Sequence, residues 1–240
     1  MSRGKVLVTG VTGLIGFRVL VDVLEAGYAA RAVVRSTKRF ETQARHPLLR
    51  HFIADGRLEC TDIPDFSALN AWDDALEGIT FIMHIAWPLL LPTLDPEIDI
   101  YEPAVRGSDS LLEAALKTPT LKRIIFTSSI MATMPYTNRE GESYGPESHV
   151  RALDEDIKEN CNLGVSVPMQ YNDAVPIARK HFPEAFERGL LLPGEQPSEA
   201  VVWNASATEA MLDMKFKGFE EMVVDVVSQY LELLSAETLA

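Results

Sequence analysis

Short aliphatic runs alternate with longer amphipathic stretches along the 240 residues, the pattern of a parallel sheet covered by helices. Val6, Leu7 and Val8 predict a buried first strand. Ile15, Val19, Leu20, Val23 and Leu24 then recur at helical spacing and predict a helix over 14–26, with Gly27 standing where a C-terminal glycine ends a helix. Tyr28 to Val34 predicts a second strand, Leu58 to Thr61 a third, and Asp65 to Leu76 a helix. Phe81 to Ala86 is a continuous apolar run apart from His84, as expected of a central strand, and Trp87-Pro88 ends it. A histidine so placed is expected to be a hydrogen-bonded core residue without a catalytic role. Leu89 to Glu102, rich in proline and acid, predicts a loop. Ala104 to Lys117 predicts a helix packed through Val105, Ser108, Leu111, Leu112, Ala115 and Leu116 and stopped by Pro119. Leu121 to Phe126 predicts a fifth strand.

Beyond that strand the periodicity lapses from Met134 to about Met169. Ala174 to Lys180 and a short stretch from Phe182 read as helical, and Leu190 to Pro197 as a loop. The last helix carries Met222, Val223, Val226, Val227, Tyr230, Leu231 and Leu234 on one side.

Gly10, Gly13 and Gly16 lie between the first strand and its helix, a spacing that predicts a dinucleotide site. Gly10 permits the tight turn, Gly13 admits a pyrophosphate to the backbone, and Gly16 lets helix and strand pack closely. The helix amides then face the phosphate. The competing reading is a structural turn.

Charge refines this picture. With 22 Lys and Arg against 35 Asp and Glu, the net charge is −13, which disfavours nucleic acid or an anionic membrane as partner. Residues 31–50 reverse the sign: Arg31, Arg35, Lys38, Arg39, Arg45 and Arg50 face Glu41 alone, +5 against −18 elsewhere. Arg35 ends the second strand, where an acid would accept a ribose 2′-hydroxyl and an arginine favours a 2′-phosphate; the alternative is a solvated basic helix start. Asp62 reads equally as an adenine contact or as a turn acid or helix cap near Asp65. Thr127-Ser128-Ser129 follows the fifth strand at the edge where open α/β sheets place ligands, although hydroxyls there also satisfy turn amides. Cys60 and Cys161 are too few and too far apart for a disulfide framework or a metal site. No apolar run nears membrane-spanning length and no signal-peptide core is present, so a cytoplasmic setting is expected.

Together, Val8-Thr-Gly-Val-Thr-Gly-Leu-Ile-Gly16, Val34-Arg35-Ser36, His84-Ile-Ala-Trp-Pro88, Pro103-Ala-Val-Arg-Gly107 and Phe126-Thr-Ser-Ser129 resemble the extended short-chain dehydrogenase/reductases of the epimerase/dehydratase superfamily. They resemble in particular the dihydroflavonol reductase-like and cinnamoyl-CoA reductase-like branch and its fungal relatives. The resemblance covers roughly residues 4–160, and the tail from about Asn172, including Lys215 to Glu221, is similar to the family's carboxyl end.

The resemblance implies an α/β, Rossmann-type doubly wound parallel sheet. It implies NADP as cofactor, with Gly10, Thr12, Gly13, Leu14, Ile15 and Gly16 on the pyrophosphate and Arg35 with Lys38 or Arg39 on the 2′-phosphate. Asp62 and Ile63 would border adenine, Ala86 and Trp87 would line the ribose and nicotinamide, and Thr127 and Ser128 are implied as further cofactor-binding residues. Ser129 matches the catalytic serine that hydrogen-bonds a substrate carbonyl, in the reduction of a ketone or aldehyde to an alcohol.

The family's proton donor is a tyrosine with a lysine four residues later, and here it is missing. Tyr28, Tyr101, Tyr136, Tyr144, Tyr171 and Tyr230 are followed at that distance by Ala32, Val105, Glu140, Ser148, Val175 and Leu234. The chain resembles a family member with an internal segment deleted near Cys161 to Gln170. The expected organisation is an NADP-binding domain over 1–133, an irregular connector over 134–171, and a helical remnant of the substrate lobe over 172–240. The sheet is expected to stop at the fifth strand, leaving an edge open to self-association. Two other readings are a non-catalytic NADP-binding regulator and an unstable truncated product.

Overall fold

A computed structural model describes residues 3–88, 95–128, 143–144, 170–194, 202–203 and 205–238. The chain divides into two compact units, one ending at Thr127 and the other running Ser128–Thr238.

The first unit is a five-stranded, wholly parallel sheet in the order β3-β2-β1-β4-β5. Its strands are β1 (Lys5–Thr9), β2 (Ala29–Val34), β3 (Leu58–Asp62), β4 (Phe81–His84) and β5 (Arg123–Phe126). The aliphatic runs become the interior strands because a strand covered on both faces has no polar side: Leu7, Val8, Ala32 and Ile82 are fully buried. Helix α1 (Leu14–Glu25) crosses from β1 to β2. It ends as its glycine predicts: the Gly27 amide donates to Leu24 O and the Tyr28 amide to Val23 O, with Gly27 at φ +88°. This doubly bonded ending needs a residue in the left-handed region, where glycine carries no Cβ penalty.

Two helices that the apolar periodicity does not announce, α2 (Thr37–Ala44) and α3 (Pro47–Ala54), connect β2 to β3. Each is anchored by very few side chains: Phe40 from α2, Leu49 and Phe52 from α3. The His46 ring caps α3, its Nδ1 accepting from the Leu48 amide at 3.2 Å, and Pro47 occupies the first turn, where a missing N–H costs nothing.

The helix expected over Asp65 to Leu76 is absent, and the segment is a chain of turns. Asp65 Oδ1 accepts from both the amide and the hydroxyl of Ser67, at 2.8 and 2.6 Å, a local bond that competes with helix formation. Asn70 lies in the left-handed region at φ +59°. The apolar side chains are buried nonetheless. Trp72, Ala75, Leu76 and Ile79 join Leu7, Val33, Ile82 and Leu111 in one cluster, and the Trp72 indole N–H is satisfied by Phe66 O at 3.0 Å.

Helix α4 (Glu102–Leu116) follows a π-helical turn over Pro96–Tyr101. Its packed side is rotated from the expected one: Ala104, Gly107, Leu111, Ala114 and Ala115 are buried, whereas Val105, Leu112 and Leu116 are exposed. Small residues let the helix approach the turns closely. A Cβ on Gly107 would lie 3.2 Å from Phe66 Cβ. Among the described residues β5 ends the sheet.

In the second unit, β6 (Ser143–Tyr144) pairs in parallel with β7 (Val202–Trp203). Helices α5 (Ala174–His181), α6 (Pro183–Glu187), α7 (Ser206–Leu212) and α8 (Phe219–Thr238) make up the rest, α7 being unexpected from the sequence. Glu220 of α8 receives Lys180 and His181 of α5 at 2.8 and 2.7 Å, and these partners hold its carboxyl down to about 2. Along α8, Val223 is buried but Val226 and Tyr230 are exposed, so only part of the expected stripe packs.

Candidate functional site

Because all five strands are parallel, everything that follows a strand's carboxyl end emerges at one edge of the sheet. The structure brings the predicted residues of the first unit to that edge: the glycine turn after β1, Arg35 after β2, Asp62 and Ile63 at the end of β3, Ala86 and Trp87 after β4, and Thr127 after β5; Ser128 begins the second unit. Ser129 lies outside the described residues.

The glycine turn is as tight as its spacing implies. Gly10 has φ +73°, and a Cβ there would stand 2.9 Å from the Ala86 amide nitrogen. A Cβ on Gly16 would fall 2.1 Å from Gly10 O, an overlap between backbone atoms that no rotamer relieves. Gly16 is therefore what lets α1 start directly on the turn. Gly13 donates its amide to Gly10 O at 3.0 Å. The N-cap of α1 is Gly13, which has no side chain to cap with, and no acid sits in the first turn, whereas Thr12, Gly13, Leu14 and Ile15 are exposed. A helix start with the positive end of the helix dipole suits a phosphate.

The basic window separates into two roles. Arg31 is committed to the fold: its Nε donates to Glu59 at 2.6 Å, and one terminal nitrogen donates to the carbonyls of Asp74, Ala75 and Glu77 at 3.1, 2.7 and 3.1 Å. Its Nε and one terminal nitrogen are thereby spent on the fold, which lowers the count of free cations. Arg35, Lys38 and Arg39 are exposed, at the end of β2 and the start of α2, and form no ion pair among the described residues. From the far end of α2, Gln43 Nε2 donates to Thr12 O at 3.5 Å. The helix bearing Lys38 and Arg39 is thus tied to the glycine turn.

At β3, Asp62 is exposed and Ile63 is buried with its amide on Val34 O at 2.8 Å. The Cys60 thiol is pushed up to about 11 by burial and by Asp62.

At β4, His84 is a core residue, as expected. Burial holds its imidazole down to about 4, and its ring packs against Phe66, Trp72 and Phe126. Its Nδ1 lies 3.3 Å from Thr9 Oγ1, which accepts the Ile85 and Ala86 amides at 2.9 and 3.0 Å. Trp87 is 56% exposed. The Thr127 amide reaches back to His84 O at 3.0 Å. Thr9 has no prominence in the sequence beyond a hydroxyl closing an aliphatic strand, yet it joins the glycine turn to the end of β4.

The donor set fits a dinucleotide: a glycine turn with no room for a side chain at Gly10 or Gly16, a helix start with a glycine N-cap, and a nearby cluster of cations unpaired among the described residues. Among the described residues no group of His, Cys, Asp and Glu is placed to hold a metal ion, and no helix is long and apolar enough to cross a membrane. A cavity of about 470 Å³ in the second unit, lined by Phe182, Arg188, Leu190, Leu231 and Leu234 among others, contains none of these residues.

Comparison with known proteins decides the family. The description of the NAD-dependent epimerase/dehydratase family matches residues 6–151. The chain belongs to this family. A ketoreductase of Cercospora beticola is 38% identical over 136 residues, covering 55% of this chain and 38% of the other. A dihydroflavonol 4-reductase of Zea mays is 34% identical over 147 residues, covering 61% and 40% respectively. The matched stretch thus spans about two fifths of these relatives' own length. A crystal structure of yeast methylglyoxal/isovaleraldehyde reductase complexed with NADPH aligns with a TM-score of 0.68 at 16% identity, covering 97% of this chain and 99% of that one. Its namesake from Candida albicans, also with NADPH, gives 0.69 at 16% identity, covering 95% and 99%. At such identities the likeness shows the fold, a Rossmann-type sheet. The epimerase/dehydratase family is NAD(P)-dependent, and its matched region contains the whole edge from Gly10 to Thr127.

Proposed function

We propose that this chain is an NADP-binding oxidoreductase of the short-chain type, descended from enzymes that reduce a ketone or aldehyde to an alcohol. The observation that carries the cofactor choice is the trio Arg35, Lys38 and Arg39, unpaired among the described residues: Arg35 follows β2, and Lys38 and Arg39 start a helix tied to the glycine turn through Gln43 and Thr12. An arginine at this strand end favours a 2′-phosphate. Thr12 to Gly16 would hold the pyrophosphate, Asp62 and Ile63 would border adenine, Ala86 and Trp87 would line the nicotinamide side, and Thr127 and Ser128 would be further cofactor-binding residues. When bound, the cofactor supplies hydride. Ser129 would orient the carbonyl of a small-molecule substrate.

The absent Tyr-x-x-x-Lys pair favours a second reading, a cofactor-binding protein with little turnover. Positioned acid catalysis is typically worth about 10² to 10⁴ in rate, and a serine is a poor proton donor at neutral pH. We further place the chain in the cytoplasm, consistent with its few cysteines, and assign it self-association through the β5 edge.

Fluorescence titration with NADPH and NADH tests the cofactor. Arg35→Ala should weaken NADPH by roughly ten- to a hundredfold and leave NADH unchanged, since a charge-assisted contact contributes about 1.5 to 3 kcal/mol. Equal affinities in the parent chain overturn the assignment. A panel of aromatic and aliphatic ketones and aldehydes then separates the two catalytic readings. Turnover at an ordinary reductase rate would mean that another residue donates the proton, with Tyr144 and Tyr136 the first to replace.

A further inference from the structure

We propose that His84 is a positioning residue for the nicotinamide-side wall at Ala86 and Trp87, acting through the hydroxyl of Thr9. The assignment rests on the cofactor reading above and gives His84 a task beyond filling the core.

The argument begins with two amides. The pairing of β4 with β1 ends at Val8 and Met83, so Ile85 and Ala86 lie past the ladder with no strand carbonyl of β1 opposite them. Thr9 Oγ1 takes both, at 2.9 and 3.0 Å. A hydroxyl oxygen has two acceptor lone pairs and one proton. With both lone pairs engaged, the proton is left to point at His84 Nδ1, 3.3 Å away. His84 must then accept at Nδ1 and carry its own proton on Nε2. The ring has little freedom to do otherwise, being 4% exposed and held at centroid distances of 5.9, 6.2 and 5.1 Å from Phe66, Trp72 and Phe126. It is neutral near pH 7, as an acceptor must be.

The consequence reaches the site. A hydroxyl with all its bonds committed has one orientation, so the backbone of Ile85 and Ala86 has one position relative to Gly10. Gly10 accommodates this, since any side chain there would strike the Ala86 nitrogen. Removing the acceptor at 84 frees the Thr9 proton to seek another partner and turns a lone pair away from one of the amides. The wall that carries Trp87 then loses its register, whereas Arg35 and α2 are untouched.

The test uses two ligands. NADPH spans the whole edge, and adenosine 2′,5′-bisphosphate reaches only the adenosine half. His84→Leu should weaken NADPH by roughly five- to tenfold, about the worth of one or two hydrogen bonds, and change the bisphosphate by less than twofold. His84→Asn, which restores an acceptor oxygen, should recover most of the loss, and Thr9→Val should reproduce it. Equal losses for the two ligands, no loss, or an Asn variant as weak as Leu would overturn the proposal. Amide hydrogen exchange in the free protein decides the structural step without any ligand. Ile85 and Ala86 should exchange faster in His84→Leu than in His84→Asn, and equal rates refute the role of the acceptor. A parent chain that binds neither ligand overturns the cofactor reading and the positioning role with it, while exchange still reports on the contact.

Discussion

Gly16→Ala is expected to destabilise the free chain even though alanine is the better helix former. Within a helix the exchange is favourable by up to about 1 kcal/mol. Against this, the new Cβ would stand 2.1 Å from Gly10 O and 2.5 Å from Gly10 C, where ordinary contact begins at 3.4 Å. Backbone atoms lie on the receiving side, so α1 must lift off the turn by about 1 Å, and overpacking of this kind typically costs about 1–3 kcal/mol. The clash wins, with a net loss of roughly 1–2 kcal/mol. Gly13→Ala is the control. Its Cβ would meet Gly10 O at 3.4 Å with the backbone at φ −93°, an ordinary contact in an ordinary conformation. Stability should change by no more than about 0.5 kcal/mol, the usual range for surface substitutions, while NADPH affinity falls because the methyl group stands where a phosphate approaches the turn. Urea unfolding of the free proteins reads the first effect and fluorescence titration the second. A Gly16→Ala chain at least as stable as its parent would refute the close approach, and unaltered NADPH binding by Gly13→Ala would remove the phosphate from this turn.

Other outcomes follow from the same contacts. His84 is held at about 4 against an ordinary 6.5, so between those values the unfolded chain takes up a proton that the folded chain refuses. Its contribution is fully present above pH 6.5 and falls by roughly 3 kcal/mol as the pH drops towards 4; a difference in unfolding free energy between the parent and His84→Asn that does not vary across this window would refute it. The exposed Val105, Leu112 and Leu116 on α4, with Ile125 and Phe126 on β5, are expected to drive self-association. Sedimentation of a Leu112→Lys, Leu116→Lys double variant should show a shift towards monomer, and a parent chain already monodisperse as a monomer at high concentration would rule out this surface.

The sheet was legible in the sequence for a simple reason. Interior parallel strands are apolar throughout, so β1, β2 and β4 stand out as aliphatic runs, and once all strands run one way their following residues must share an edge. That is why the glycine turn, Arg35, Asp62 and Ala86 were found together. Helical periodicity was less informative. It detected the apolar content of 65–76, but the bond from Ser67 to Asp65 and the left-handed Asn70 leave those side chains buried on turns. It missed α2, which needs only Phe40 to anchor it, and it merged two faces of α4 into one, because a helix with apolar residues on both its packed and its outer side has no single stripe to read.

Partnership is the part of the site that no local pattern contains. Arg31 and Arg35 are equal contributors to a charge count, yet Arg31 meets Glu59 on the neighbouring strand and three carbonyls of a later turn. Arg35, one residue past the end of the same strand, meets no carboxylate among the described residues. The register of β2 against β3, which pairs Arg31 with Glu59, makes that difference. Thr9 shows the same dependence: its hydroxyl acts on amides more than seventy residues away in the chain. A basic window becomes evidence for an anionic ligand only after the fold has claimed its own cations. Here it claims Arg31 and leaves Arg35, Lys38 and Arg39 at the edge where the glycine turn presents its amides.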